Sequence, residues 1–189
     1  MSEEPADLAT HLRTETLAAH QRFEQKLSLL SRPADRRRFL AVLERFHGFH
    51  AVWEGAIRRR SAHAAFHAGR GRLPHLRRDL AALGRTHSEI AALPACHSAE
   101  DLLACEAAAV GSIYVLEGST LGGQVISRAL QGEAWLPSGG FAYFNPYGQR
   151  TGDMWRGLRS WLGDQDVAPE AAVDGARRTF RLLEDWVAA

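Results

Sequence analysis

The sequence predicts an all-α protein folded as a single-domain helical bundle, and three observations carry that expectation. Apolar residues recur at three- and four-residue intervals along most of the chain. No stretch shows the strict apolar–polar alternation of a half-buried strand. Proline and glycine punctuate the periodicity where short helix connections belong.

The first helix is predicted over Asp7 to Leu30, with Leu8, Leu12, Leu17, Phe23 and Leu27 among its apolar positions. Ser31, Arg32 and Pro33 interrupt it, and Pro33 suits the first turn of a second helix. That helix reads through Phe39, Leu40, Leu43, Phe46, Phe49, Val52, Trp53 and Ile57. Ser61 to Gly71, rich in Ala, His and Gly, reads as a connection, and a shorter third helix spans Leu73 to Leu83. After Pro94, the run Ser98, Ala99, Glu100, Asp101 resembles a capping box that opens a long fourth helix. The fourth helix continues through Val110, Ile113, Leu116, Val125, Ile126 and Leu130. Gly132 to Gly148, with Pro137, Gly139, Gly140 and several aromatics, reads as a loop. Thr151 is expected to cap a helix bearing Trp155, Leu158, Trp161 and Leu162. Pro169 then opens a last helix with Val173, Phe180, Leu183 and Trp186.

At 189 residues and 46% apolar content, the whole chain, 1–189, is expected to form one domain with a substantial core. The formal net charge is +1, and Lys26 is the sole lysine among many arginines. So balanced a chain gives no general case for nucleic acid as a partner. The clusters Arg36–Arg38 and Arg58–Arg60 read as solvated helix faces; an acidic electron-transfer protein suits them better than DNA. The acidic start MSEEPADLATHLR lacks the features of a secretory signal, and no window approaches the roughly 20 apolar residues of a membrane span. Cys96 and Cys105 fit neither a disulfide framework nor a CxxC metal pattern, and Cys105 is expected to be buried in its alanine-rich helix. A reducing, cytoplasmic setting is the simplest expectation.

Chemistry concentrates in two places. Gly118, Gly122 and Gly123 fall inside the long fourth helix, where each glycine costs about 0.5–1 kcal/mol relative to alanine. Close helix packing or a helix break would account for them. So would a bent helix that brings its bare backbone against something flat and bulky. Far upstream, His20 and Glu24 share one helix face at four-residue spacing. A helical His/Glu pair also occurs as a plain boundary interaction, and His47 and His50, three apart, lack a matching carboxylate cluster. Taken together, an imidazole oriented by a carboxylate and facing a glycine-opened helix describes a slot for haem.

Two motifs extend that description. Residues 12–24, LRTETLAAHQRFE, and residues 114–124, YVLEGSTLGGQ, resemble the proximal and distal helices of bacterial haem oxygenases, nearest the type associated with bacteriophytochromes. Residues 176–180, ARRTF, followed by LEDW at 183–186, resemble the closing helix of the same family, so the similarity spans nearly the whole chain. The resemblance implies a haem-oxygenase-like bundle with haem b between a proximal and a kinked distal helix. It implies His20 as the axial iron ligand, Glu24 as its supporting acid, and Gly118, Gly122 and Gly123 as distal glycines. Tyr114, which opens the second motif, joins the haem-binding set. Arg13 and Arg156 would pair with the haem propionates, with Arg159 and Arg177 nearby. Ser119 stands where animal members carry an aspartate that organises distal water.

The implied activity is oxygen-dependent cleavage of haem to biliverdin, at the alpha position by analogy with the phytochrome-associated type, with release of CO and ferrous iron. No flavin or nicotinamide fingerprint is present, so electrons would come from an external ferredoxin-like protein or a reductase. A bacterial phytochrome is the implied recipient of the product. Two other readings remain at this stage: a haem carrier or sensor using the same slot without ring cleavage, and a helical interaction protein whose glycines serve packing alone.

Overall fold

Helix α1 (Leu8–Leu27) opens on Asp7, whose carboxylate accepts from the Thr10 amide at 2.7 Å in the computed structural model, which describes residues 7–30, 35–59, 61–138 and 140–188. It closes on Ser28 in the left-handed region, φ 41°, three residues short of the predicted interruption at Ser31. Pro33, Arg60 and Gly139 lie outside the described residues. Helix α2 (Arg36–Arg59) follows as expected. Within the first arginine cluster, Arg36 donates to the Leu83 carbonyl at 2.8 Å and Arg38 to the Leu27 carbonyl at 2.9 Å. Two of these arginines therefore bind the exposed carbonyls of helix C-termini instead of simply facing solvent.

Ser61 to Gly71 departs from expectation. Its first part forms helix α3 (Ser61–His67), in which Phe66 stacks on Trp161 at 4.2 Å between ring centroids. That aromatic contact comes from a helix far along the chain, so the local sequence carried no sign of it. Helix α4 (Leu73–Ala82) has Pro74 in its first turn, and a short α5 (His87–Ala91) follows that the periodicity did not reveal. The capping box of this region belongs to α5: Thr86 and Glu89 satisfy each other's backbone amides.

Ser98 to Asp101 lie instead in a 3₁₀ turn, His97–Leu103. Helix α6 (Glu106–Ala129) starts after Cys105, an exposed N-cap residue whose side chain makes no cap bond, while Cys96 is the buried cysteine. Helix α6 keeps its helical conformation through Gly118, Gly122 and Gly123, so the expected kink does not break the helix. Helix α7 (Thr151–Gly163) is entered through a 3₁₀ turn, Gly148–Arg150, that makes Arg150 the N-cap and Thr151 the first helical residue. Helix α8 (Pro169–Val187) begins on its proline as predicted.

Helix α8 holds α1 and α6 in place. A side chain at Gly111 would collide with the Ala172 carbonyl, and one at Gly175 would come within 2.6 Å of the Ala108 backbone, so α6 and α8 cross nearly backbone to backbone. On its other side, Phe180 of α8 meets Phe23 and His20 of α1, with centroids 6.4 and 5.7 Å apart. One hydrophobic core runs through the bundle, and Leu12, Phe39, Leu43, Phe49, Trp53 and Leu158 are among its most buried members. The aromatic loop packs onto this core: the Asp79 carboxylate accepts from the amides of Ala142 and Tyr143 at 2.9 and 2.7 Å. No single helix among the described residues is long and apolar enough to cross a membrane.

Candidate functional site

A cavity of about 580 Å³ opens between the second half of α1 and the glycine-bearing part of α6, within the range of about 300–1,000 Å³ typical of small-molecule pockets. His20 and Glu24 form one wall, and Ser119, Gly122 and Gly123 form the opposite one. Leu27, Leu29, Phe46, Ile126, Tyr143 and Phe144 close its inner end. Leu30 and Val125 line it as well, although 44% and 54% of their surfaces face solvent, because the cavity is open at that side. The lining is mostly apolar and, among the described residues, contains no arginine or lysine.

His20 Nε2 lies 3.3 Å from Glu24 Oε1 one turn further along α1. The ring is steadied from behind by Phe180. An imidazole beside a carboxylate of its own helix is the pairing found when a neutral histidine serves as a metal ligand. His20 is the histidine of the described lining and could hold a haem iron. Among the described residues, no group of three or more His, Cys, Asp or Glu side chains could hold a free metal ion.

The three glycines separate into two kinds. A Cβ on Gly123 would run into the Phe144 carbonyl, so this position is required by the close approach of the aromatic loop. A Cβ on Gly118 would rest 3.8 Å from the Trp155 ring, and one on Gly122 would rest 3.7 Å from Glu24 Oε1. Both are ordinary contacts. The chain's own packing therefore explains Gly123 but leaves Gly118 and Gly122 without an internal reason to lack a side chain. Ser119 donates its hydroxyl to the Leu116 carbonyl at 2.7 Å, which commits the proton to its own helix and leaves oxygen lone pairs free.

Gly118 is not among the lining residues, and the remaining sequence-predicted residues also lie away from the cavity lining. Tyr114 is buried near Arg13 and Thr16, and burial pushes its hydroxyl pKa up. Arg13 is exposed on α1 and makes no ion pair among the described residues. Arg156 pairs with Asp153 on its own helix, Arg159 with Asp7 at 2.8 Å, and Arg177 with Glu15 at 2.7 Å. The Thr10 hydroxyl, then Arg159, hold the Asp7 carboxyl at a pKa of about 2.

Sequence reading missed the polar interior behind α6. Glu54, four residues after His50, accepts from the Arg72 and Leu73 amides at 2.6 and 3.0 Å and lies 3.2 Å from His50 Nδ1. Burial alone would raise its pKa, yet the neighbouring His50, with the Arg72 amide, brings it to about 2. The His50–Glu54 spacing was a signal of the same kind as His20–Glu24. It was hidden because a buried polar pair looks no different in sequence from an exposed one. Burial also lowers the pKa values of His47 and His67.

A helical bundle with an open, mostly apolar slot, one histidine on its wall and bare backbone opposite has the form of a ligand-binding helical protein. The family profile described as heme oxygenase matches residues 6–189, and the chain belongs to the heme oxygenase family, whose function is haem degradation. The fold is similar to that of a heme oxygenase from Leptospira interrogans at a TM-score of 0.83 and 17% identity, covering 96% of this chain and 98% of the other. It is also similar to the NO- and CO-bound heme oxygenase from Neisseria meningitidis at a TM-score of 0.70 and 19% identity, covering 96% and 92%. At such identities the likeness establishes the fold, and family membership rests on the profile. Comparison with curated proteins returned no match.

Proposed function

We propose that the protein cleaves haem to biliverdin with His20 as the axial ligand, releasing CO and ferrous iron, with alpha-position opening as in the phytochrome-associated type. The observation that carries the reading is the pair Gly118 and Gly122. Gly122 lines the cavity and would take an alanine methyl without a clash, and Gly118, one turn earlier, would take one beside Trp155; the chain's own packing requires neither glycine, and a ligand against the bare backbone accounts for them. The cavity's size, its apolar inner end and the His20–Glu24 pair fit haem. Haem is both substrate and cofactor, supplying the iron at which oxygen is reduced and the ring that is opened.

The protein's part is placement. Glu24, whose carboxylate lies 3.3 Å from His20 Nε2, would orient the imidazole for the iron. Gly118 and Gly122 let the haem face approach the α6 backbone, and the free lone pairs of Ser119 accept a hydrogen bond from a water on that side. Gly123 acts by letting Phe144 close the inner end. With no cation among the described lining residues, the propionates would extend toward the protein surface, where Arg13 is exposed on α1. Of the four arginines, Arg13 is the one without a carboxylate partner among the described residues, which supports it as the first propionate contact. Arg156, Arg159 and Arg177 would have to exchange a carboxylate for a propionate. Electrons come from a ferredoxin-like donor or a reductase, and a bacterial phytochrome is the proposed acceptor of biliverdin.

The test is to add haem to the purified protein without oxygen, then admit oxygen and a reductant and identify the bilin isomer by chromatography. Stoichiometric binding followed by loss of haem and appearance of biliverdin is expected. Bound haem that persists would make the protein a carrier or sensor. Absence of stoichiometric binding would leave a packing role for the glycines.

A further inference from the structure

Immediately before Gly118, helix α6 carries a carboxylate into the protein interior. Glu117 is 7% exposed and is gripped by three side chains from outside its own helix. Arg72 donates to Oε1 at 2.9 Å, Arg70 donates to Oε2, and the Tyr147 hydroxyl lies 2.9 and 3.0 Å from the two oxygens. Both arginines are themselves buried and tied down. The Arg72 amide binds Glu54 of α2 at 2.6 Å, and its guanidinium lies over the Tyr147 ring at 4.9 Å. Arg70 lies over the Phe66 ring of α3 at 4.2 Å and reaches the Met154 carbonyl of α7 at 3.4 Å.

Stability does not explain this arrangement. Desolvating a carboxylate and two guanidiniums offsets most of their mutual attraction, and apolar residues of similar volume commonly serve as well or better. What such a cluster adds is direction. A leucine at this position could slide or rotate by a fraction of a turn, whereas a carboxylate with both oxygens engaged has one position. Successive helix residues are about 100° apart and rise about 1.5 Å, so Glu117 points about 100° away from Gly118 and about 140° away from Gly122. The grip acts on the back of α6 and sets how its bare face is presented to the cavity. Arg70 extends the setting to α7, whose Trp155 is the nearest side chain to Gly118.

We propose that Glu117 is a positioning residue: through Arg70, Arg72 and Tyr147 it sets the rotation and height of Gly118 and Gly122 above the bound haem. The proposal rests on the haem-cleaving reading and concerns a cluster that touches no lining glycine directly.

Three proteins test it: wild type, E117Q, which keeps the shape and removes the charge, and Y147F, which removes one hydroxyl and leaves both ion pairs. For each, haem affinity, the single-turnover rate of ring opening and the C–O stretching band of the ferrous CO complex are measured, with thermal melting as the control. E117Q is expected to bind haem with near wild-type affinity, to open it about tenfold or more slowly, and to show a shifted or split C–O band. Y147F should change both in the same direction and by less. Variants that melt earlier yet keep the wild-type band and rate would overturn the proposal. Should E117Q fail to fold, an unchanged band and rate in Y147F would overturn it alone. Wild type that binds haem without opening it would refute the activity, and the C–O band would still decide the role of Glu117. Wild type that binds no haem refutes both.

Discussion

Substituting the three glycines of α6 one at a time by alanine separates packing from ligand accommodation. In Gly118→Ala and Gly122→Ala the new methyl group finds ordinary contacts at 3.8 and 3.7 Å. The helix-propensity gain of about 0.5–1 kcal/mol is therefore kept. For a chain of this size 1 kcal/mol moves the melting temperature by about 2–4 °C, so both proteins should melt about 1–4 °C higher than wild type. In Gly123→Ala the methyl meets the Phe144 carbonyl, a piece of backbone that cannot swing aside. Overpacking of this kind costs about 1–3 kcal/mol, which exceeds the propensity gain and lowers melting by a few degrees. Haem handling should run in the opposite sense. Gly118→Ala and Gly122→Ala are expected to slow ring opening more than they weaken ferric haem binding, because their methyl groups occupy the space on the oxygen side. Calorimetric melting of the haem-free proteins, with haem titration and single-turnover absorbance, gives both columns. Melting below wild type in Gly122→Ala, or an unchanged ring-opening rate in it, would refute the reasoning.

His20→Ala should lose the axial-ligand signature in the ferric absorption spectrum and stop turnover while retaining wild-type far-ultraviolet dichroism; an unaltered spectrum would remove His20 from the iron. Replacing Arg13 by methionine should weaken haem binding about two- to fivefold, equivalent to the 0.5–1 kcal/mol of a solvent-screened pair, and alter the bilin isomer ratio. Unchanged affinity and isomer would exclude it from the propionate site. Acid sensitivity follows from Glu54, whose carboxyl falls from an ordinary 4.5 to about 2 in the folded protein. A depressed carboxylate pKa adds stability above pH 4.5 that is lost as pH falls toward 2, amounting to about 3 kcal/mol. The lowered pKa values of buried His47 and His67 act with the same sign and begin to withdraw stability below pH 6.5. Urea midpoints should therefore decline from pH 7 toward pH 2, and E54Q should flatten the part of the curve below pH 4.5; a flat wild-type profile would refute this.

Local sequence was sufficient for the long helices and for both walls of the slot. The periodicity of α1 and α8 needed no tertiary information, since each buries one stripe, and α6 read as a helix from its long apolar run, buried on every side from Ala108 to Glu117. His20 and Glu24 were legible because four-residue spacing on a helix determines proximity, and the glycines because their cost inside a helix demands a cause. Tertiary structure decided the rest. Helix α3 is stabilised by a ring more than ninety residues away, so its Ala- and His-rich sequence reads as a connection. Cys105 and Ser98 changed roles because the start of α6 is set by a preceding 3₁₀ turn. The separation of Gly123 from Gly118 and Gly122, the approach of Tyr143 and Phe144 to the cavity, and the grip on Glu117 all join segments distant in sequence. Spacing along a helix is a local property written in residue order, whereas which buried group meets which is settled only when the chain closes on itself.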